Sequence, residues 1–193
     1  MSMSISYPIS NNDNICAISS SKNSNAAIGV IRCSGYNLDK LIPGFFFSNS
    51  SVFSPRQALF GKIIYKNQII DEVILIFYKA PYSFSGEDMI EIFCHGNILI
   101  MDNLLKVLLK NKFRLAYPGE FSYRAFKNKK ITLIQAEAIN ELISATNFLS
   151  IKNSLKILDK QNDIFINELK KIIVDVKSIV ESRIDFSDQN IDY

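Results

Sequence analysis

Near Asn128 the apolar residues of this chain change their period, and that change decides the fold class. Upstream, runs such as Ala58 to Tyr65, Ile69 to Tyr78 and Met89 to Phe93 are short, rich in β-branched and aromatic residues, and separated by Pro, Gly, Asn and Ser. Downstream, apolar residues recur three and four apart as far as Tyr193. Strands gathered before helices predict an α+β architecture: a mixed or antiparallel sheet domain in residues 1–128, then long antiparallel helices in residues 129–193. A chain of 193 residues, 48% of them hydrophobic, can bury a core of that size.

Within the β part, the stretch from Tyr82 to Gly96 carries the least ordinary residue. A hydroxyl-rich loop, Tyr82 to Gly86, runs into a strand that Gly96 ends before an apolar helix. Strand alternation sends Ile90 and Ile92 to one face and Met89, Glu91 and Phe93 to the other. Glu91 therefore shares its face with two large apolar neighbours. A carboxylate there is costly to bury unless something donates to it; otherwise it lies on the solvent side of an edge strand. Glu87 and Asp88, at the junction of loop and strand, are expected to be solvated.

The rest of the chain follows from turn and cap signals. Ser10 to Asn25 is irregular apart from a short strand near Ile15 to Ile18, and Ala26 to Gly35 is a β run carrying one charge, Arg32. Arg32 either lays its stem on apolar surface with its head in water or holds an anionic ligand group with its donor fork. The link Lys66-Asn67-Gln68 makes the next two runs an antiparallel hairpin, and Asn97 to Lys110 is a helix with apolar residues at Ile98, Met101, Leu104, Leu105 and Leu108. A turn at Tyr117 to Gly119 leads into a short helical segment whose end is crowded by Lys127, Lys129 and Lys130. Thr132 and Gln135 have capping-box spacing and start the helical part, in which a break near Asp159 to Asp163 separates two long helices. Phe165, Leu169, Ile172, Val176 and Ile179 form a seam for packing on another helix.

Composition narrows the function classes. A net charge of +3 does not by itself argue for nucleic acid. Cys16, Cys33 and Cys94 have no CxxC spacing and an odd count, which favours reduced thiols over a disulfide framework. His95 follows Cys94 on the opposite strand face, so the two make neither a nucleophilic pair nor a metal site. The N-terminus lacks a basic-then-apolar plan and no apolar run reaches bilayer length; a cytoplasmic protein with no membrane partner is expected.

Five segments then fall into register with a known family: Ile28 to Gly35 (IGVIRCSG), Ser83 to Asp88 (SFSGED), His95-Gly96, Pro118 to Phe121 (PGEF) and Gln135 to Ile139 (QAEAI), joined by Arg124-Ala125-Phe126 and Ile184-Asp185-Phe186. In order and spacing they resemble the tRNA-modification GTPase family MnmE, also called TrmE, over nearly the whole chain. The resemblance implies an N-terminal domain similar to folate-binding aminomethyltransferase domains, which binds 5-formyl-tetrahydrofolate or a related tetrahydrofolate and forms a homodimer. It also implies a MnmG-type flavoprotein partner, with tRNA engaged indirectly or weakly, and (carboxymethyl)aminomethylation at carbon 5 of the wobble uridine, U34. Family folate contacts carry over onto Arg32, Glu91 and Lys130, with Lys129 beside the last as the alternative inward-turning lysine. No residue acquires a catalytic or metal-ligand role.

Departures from the family qualify what is expected. Ser21 to Ala27 stands where the family has a Pro-Pro-Gly-Arg-Gly-Gly type loop, and Thr132 stands for an Asp. The only Gly-Lys, Gly61-Lys62, is followed by Ile63, so no GxxxxGK[ST] phosphate loop is present. GTP, magnesium and potassium belong to the guanine-nucleotide domain of the full-length family, which is expected to be missing here together with the C-terminal tail. Without it the chain is not expected to hydrolyse GTP. Two readings follow: a folate-binding, dimerising module of a tRNA-modification protein, or a non-catalytic interaction remnant that binds a partner protein without folate. A third, RNA binding by Arg124, Lys127, Lys129 and Lys130, rests on a small basic patch.

Overall fold

The computed structural model describes residues 13–20, 26–49, 53–159 and 161–185; side chains of 161–165 and 185 are outside that description. Most of the Ser21 to Ala27 loop, the side chain of Phe165, and Phe186 therefore lie outside the described residues. The chain forms two compact units, Met1–Ile131 and Thr132–Tyr193.

The first unit is a seven-stranded sheet with the order β3-β4-β5-β6-β2-β1-β7. Its strands are β1 (Asn14–Ile18), β2 (Ala26–Gly35), β3 (Phe46–Phe47), β4 (Ala58–Tyr65), β5 (Gln68–Tyr78), β6 (Asp88–Gly96) and β7 (Phe113–Leu115). Every neighbouring pair is antiparallel except β1 with β7, so the sheet is mixed and the fold is α+β. Lys66 and Asn67 both adopt the left-handed region, φ 48° and 61°, giving the β4–β5 hairpin a turn whose twist matches its strands. Between β2 and β4 lie a short helix α1 (Leu38–Leu41) and a 3-10 turn (Ile42–Gly44).

One face of the sheet is closed by α2 (Ile98–Lys110), which turns Met101, Leu104, Leu105, Val107 and Leu108 inward. Asn97 starts it by accepting a hydrogen bond from Leu99 N–H at 2.9 Å, satisfying one of the helix's orphan donors. Beneath it Ile31, Leu75, Ile90 and Ile92 are fully buried. Among the described residues the other face is covered only in part. A cross-strand row of Phe60, Ile74, Phe93 and Val30 runs over β4, β5, β6 and β2, with Phe60 64% and Ile74 43% exposed. The short helix α3 (Glu120–Lys127) completes the unit.

The second unit holds three helices where sequence periodicity predicts two: α4 (Leu133–Ser144), α5 (Phe148–Leu158) and α6 (Gln161–Asp185). Thr132 forms the expected capping box with Gln135, by 3.2 Å and 2.9 Å hydrogen bonds. The additional break comes at Asn147, whose side chain caps α5 by accepting from Ser150 N–H at 2.9 Å. Leu169, Ile172, Val176 and Ile179 of the expected seam are about half exposed, so among the described residues it has no packing partner.

Candidate functional site

Strand β6 lies inside the sheet, between β5 and β2, rather than at an edge. Register places Glu91 opposite Ile76 on one side and opposite Arg32 on the other. The consequence is a direct pair: Arg32 Nε and Nη2 donate to Glu91 Oε1 at 3.1 Å and 2.7 Å. Tyr78 Oη, one strand over, donates to Glu91 Oε2 at 3.0 Å. The charge that looked expensive to bury is thus compensated within the chain. Burial pushes the Tyr78 phenol up, and the neighbouring Glu91 charge pushes it the same way.

Glu91 lies on the floor of a cavity of about 400 Å³, within the range of small-molecule sites. Tyr78 and Met89 share the floor, and Tyr82, Ser83 and Phe84 of the β5–β6 loop form a wall. At the mouth stand Arg56 and Lys130, the latter donating through Nζ to the Pro81 carbonyl at 3.0 Å. Glu91 and Lys130 therefore meet in one cavity. Arg32 does not line it; its guanidinium is held on Glu91, 5.5 Å from the centre of the Phe84 ring. Of the two neighbouring lysines, Lys130 is the one at the cavity.

Gly86 explains how the wall and Lys130 come so close. Its φ of +79° suits glycine, and a Cβ there would come 2.9 Å from Asn128 Cβ and 3.1 Å from Lys130 Cγ. Asn128 Nδ2 in turn donates to the Ser85 carbonyl at 2.8 Å. The segment after α3 is pinned to the loop in this way.

Glu87 and Asp88, expected in solvent, are both buried. Asp88 accepts from Lys79 Nζ and from Ala80 N–H, each at 3.0 Å. Glu87 Oε2 accepts from Ser34 Oγ and from Arg124 Nη1, each at 2.9 Å. Arg124 also reaches Glu120, which is clasped on its other side by Arg114. Glu120 and Arg124 are one helical turn apart, but Ser34 and Glu87 are distant from them in sequence, and α3 packing against the loop brings Arg124 to Glu87. Arg124 is therefore a buried strut and not a member of an exposed basic patch. The three cysteines are free and buried; burial pushes the Cys94 thiol up to about 11 and Cys16 up to about 12, so neither is a ready thiolate. His95 Nδ1 pairs with Asp71 Oδ1 at 2.7 Å, and among the described residues no group of three or more His, Cys, Asp or Glu could hold a metal.

Sequence reasoning missed Arg56 and Tyr78 as site residues. Tyr78 had a usable signal, since it ends β5 on the face that Glu91 occupies. Arg56 had none, because it belongs to a loop whose path is set by a distant hydrogen bond.

Residues 14–130 match the family model described as GTP-binding protein TrmE N-terminus. The chain is 41% identical over 168 residues to a tRNA modification GTPase MnmE of Aquifex aeolicus, covering 86% of this chain and 37% of that protein. It is 39% identical over 174 residues to that of Mycoplasmopsis pulmonis, covering 90% and 39%. With that of Syntrophus aciditrophicus it shares 38% identity over 180 residues, covering 91% and 39%. It spans about two-fifths of the length of these relatives.

Proposed function

The chain belongs to the TrmE N-terminal family, and from that premise we propose that it binds a 5-formyl-tetrahydrofolate type one-carbon donor in the Glu91 cavity. In this reading it serves a MnmE-type protein that, with a MnmG-type flavoprotein, modifies carbon 5 of U34 in tRNA, and tRNA is engaged mainly through that partner. The observation that carries the proposal is a compensated carboxylate on the floor of a small-molecule-sized cavity whose mouth holds two cations, Arg56 and Lys130, with no carboxylate partner among the described residues.

The residues present fit such a ligand. A reduced pterin is flat and presents adjacent N–H donors; Tyr78, Tyr82 and Phe84 offer aromatic surface and Glu91 offers acceptors. Glu91 accepts three hydrogen bonds from Arg32 and Tyr78, of roughly four that a carboxylate can take. One ligand donor is met as the site stands, and a forked pair requires the Tyr78 hydroxyl to give way. Arg32 orients Glu91 through its two hydrogen bonds. The one-carbon group itself is supplied by the folate.

The sheet face carrying Phe60 and Ile74 supports a homodimer, since an apolar row across four strands is costly to leave in water. Sedimentation equilibrium reads that dimer directly. For the folate site, calorimetric titration with 5-formyl-tetrahydrofolate is expected to show binding weakened at least about tenfold in Glu91→Gln and in Arg32→Ala, each removing a charge-assisted bond. Unchanged affinity in both variants sinks the assignment. The exposed apolar residues of α5, Phe148 and Leu149, favour a second reading as an interaction module; association without any folate binding would select it.

A further inference from the structure

We propose that Arg56, with Lys130, forms an anion-reading mouth that selects ligands by the number of carboxylates on their tail. This rests on the folate reading of the same cavity and adds to it the part of the ligand that Arg56 recognises.

Arg56 occupies the loop before β4 with φ +64°, a left-handed conformation uncommon for a residue with a side chain. Its N–H donates to the Phe77 carbonyl at 2.7 Å, which fixes the loop to β5 beside the cavity. From that fixed point the side chain crosses to the opposite wall. The guanidinium carbon lies 5.7 Å from the centre of the Tyr82 ring, and Nη2 is 3.4 Å from the Tyr82 carbonyl oxygen. That single long bond uses little of a guanidinium's five-donor capacity.

Charge decides what this mouth suits. Arg32, Arg56 and Lys130 are cationic and Glu91 is anionic, a balance of three against one. Arg32 is committed to Glu91 behind the Phe84 ring, so the surplus is carried by the two residues at the mouth. Among the described residues neither Arg56 nor Lys130 has a carboxylate partner. The floor is neutral and suits a flat, hydrogen-bonding heterocycle. The mouth is doubly positive and suits an acidic chain, and each added carboxylate finds a cation that no protein group has neutralised.

The test compares 5-formyl-tetrahydrofolate carrying one and three glutamyl residues, titrated calorimetrically into the 193-residue chain. The longer tail is expected to bind about fivefold more tightly at low salt, with the gain shrinking at about 0.5 M NaCl as exposed charges are screened. Arg56→Asn, which suits the left-handed backbone, is expected to lose most of that gain. Arg56→Lys retains part of it, and Lys62→Gln, exposed on β4, retains all of it. The same tail-length ratio in Arg56→Asn as in the parent overturns the proposal. So does a parent that binds both ligands equally well, which leaves the folate site standing. A parent that binds neither ligand removes the folate site itself.

Discussion

Two carboxylate–arginine pairs flank the start of β6, and their contrast separates structural charge from available charge. Glu87 and Arg124 have side chains 7% and 3% exposed, and Arg124 is shared with Glu120, itself fully enclosed. Glu91 and Arg32 are 15% and 30% exposed, beside an open cavity and under an aromatic ring. Chemistry is the same in both; solvent access and leftover acceptor capacity are not. The first pair locks the loop that walls the cavity, and the second leaves Glu91 in the cavity lining with its arginine behind it.

Removing Arg124 tests the structural half most severely. Arg124→Ala leaves the buried Glu87 without its cation and takes from Glu120 one of its two arginines, and a loss of about 3–5 kcal/mol in urea denaturation is expected; a loss under about 1 kcal/mol would erase the distinction. Acid titration is the next largest effect. Burial raises the Glu120 carboxyl, but hydrogen bonds from Arg114, the Tyr117 N–H and Arg124 overcome it and hold the group down at about 2. Because its folded value lies below its ordinary 4.5, the stabilisation is complete above that value and lost as pH falls toward 2. Glu120→Gln should flatten the stability profile between about pH 5 and 2, and an unchanged slope would contradict the role given to the clasp. The smallest effect is expected at Lys62 and Glu72, cross-strand partners 3.2 Å apart and about half exposed. Lys62→Ala should cost within about 0.5 kcal/mol and less in salt. A larger loss there would mean that exposure does not rank these pairs.

Strands β2, β4, β5 and β6, helix α2 and the Thr132 capping box were legible because each signal is local: alternation, a two-residue turn, a capping side chain. The tertiary charge partners were not. Nothing near Glu87 announces Arg124, so a junction carboxylate read as solvated is in fact buried. Glu91 stands out in the sequence as costly to bury, but its pairing with Arg32 and Tyr78 does not; the register of β2, β5 and β6 carries that fact, and register is not local. Asn147 before Phe148 did offer a cap signal for the missed break between α4 and α5. The parallel pairing of β1 with β7, three residues long, left no pattern strong enough to see.

Lys130 is both a lining residue of the cavity and the next-to-last residue of the first unit. Gly86 and Asn128 stitch that exit segment to the loop, so the doorway of the cavity and the strap by which the chain leaves the sheet are one piece of backbone. A side chain larger than hydrogen at position 86 would therefore press on both at once.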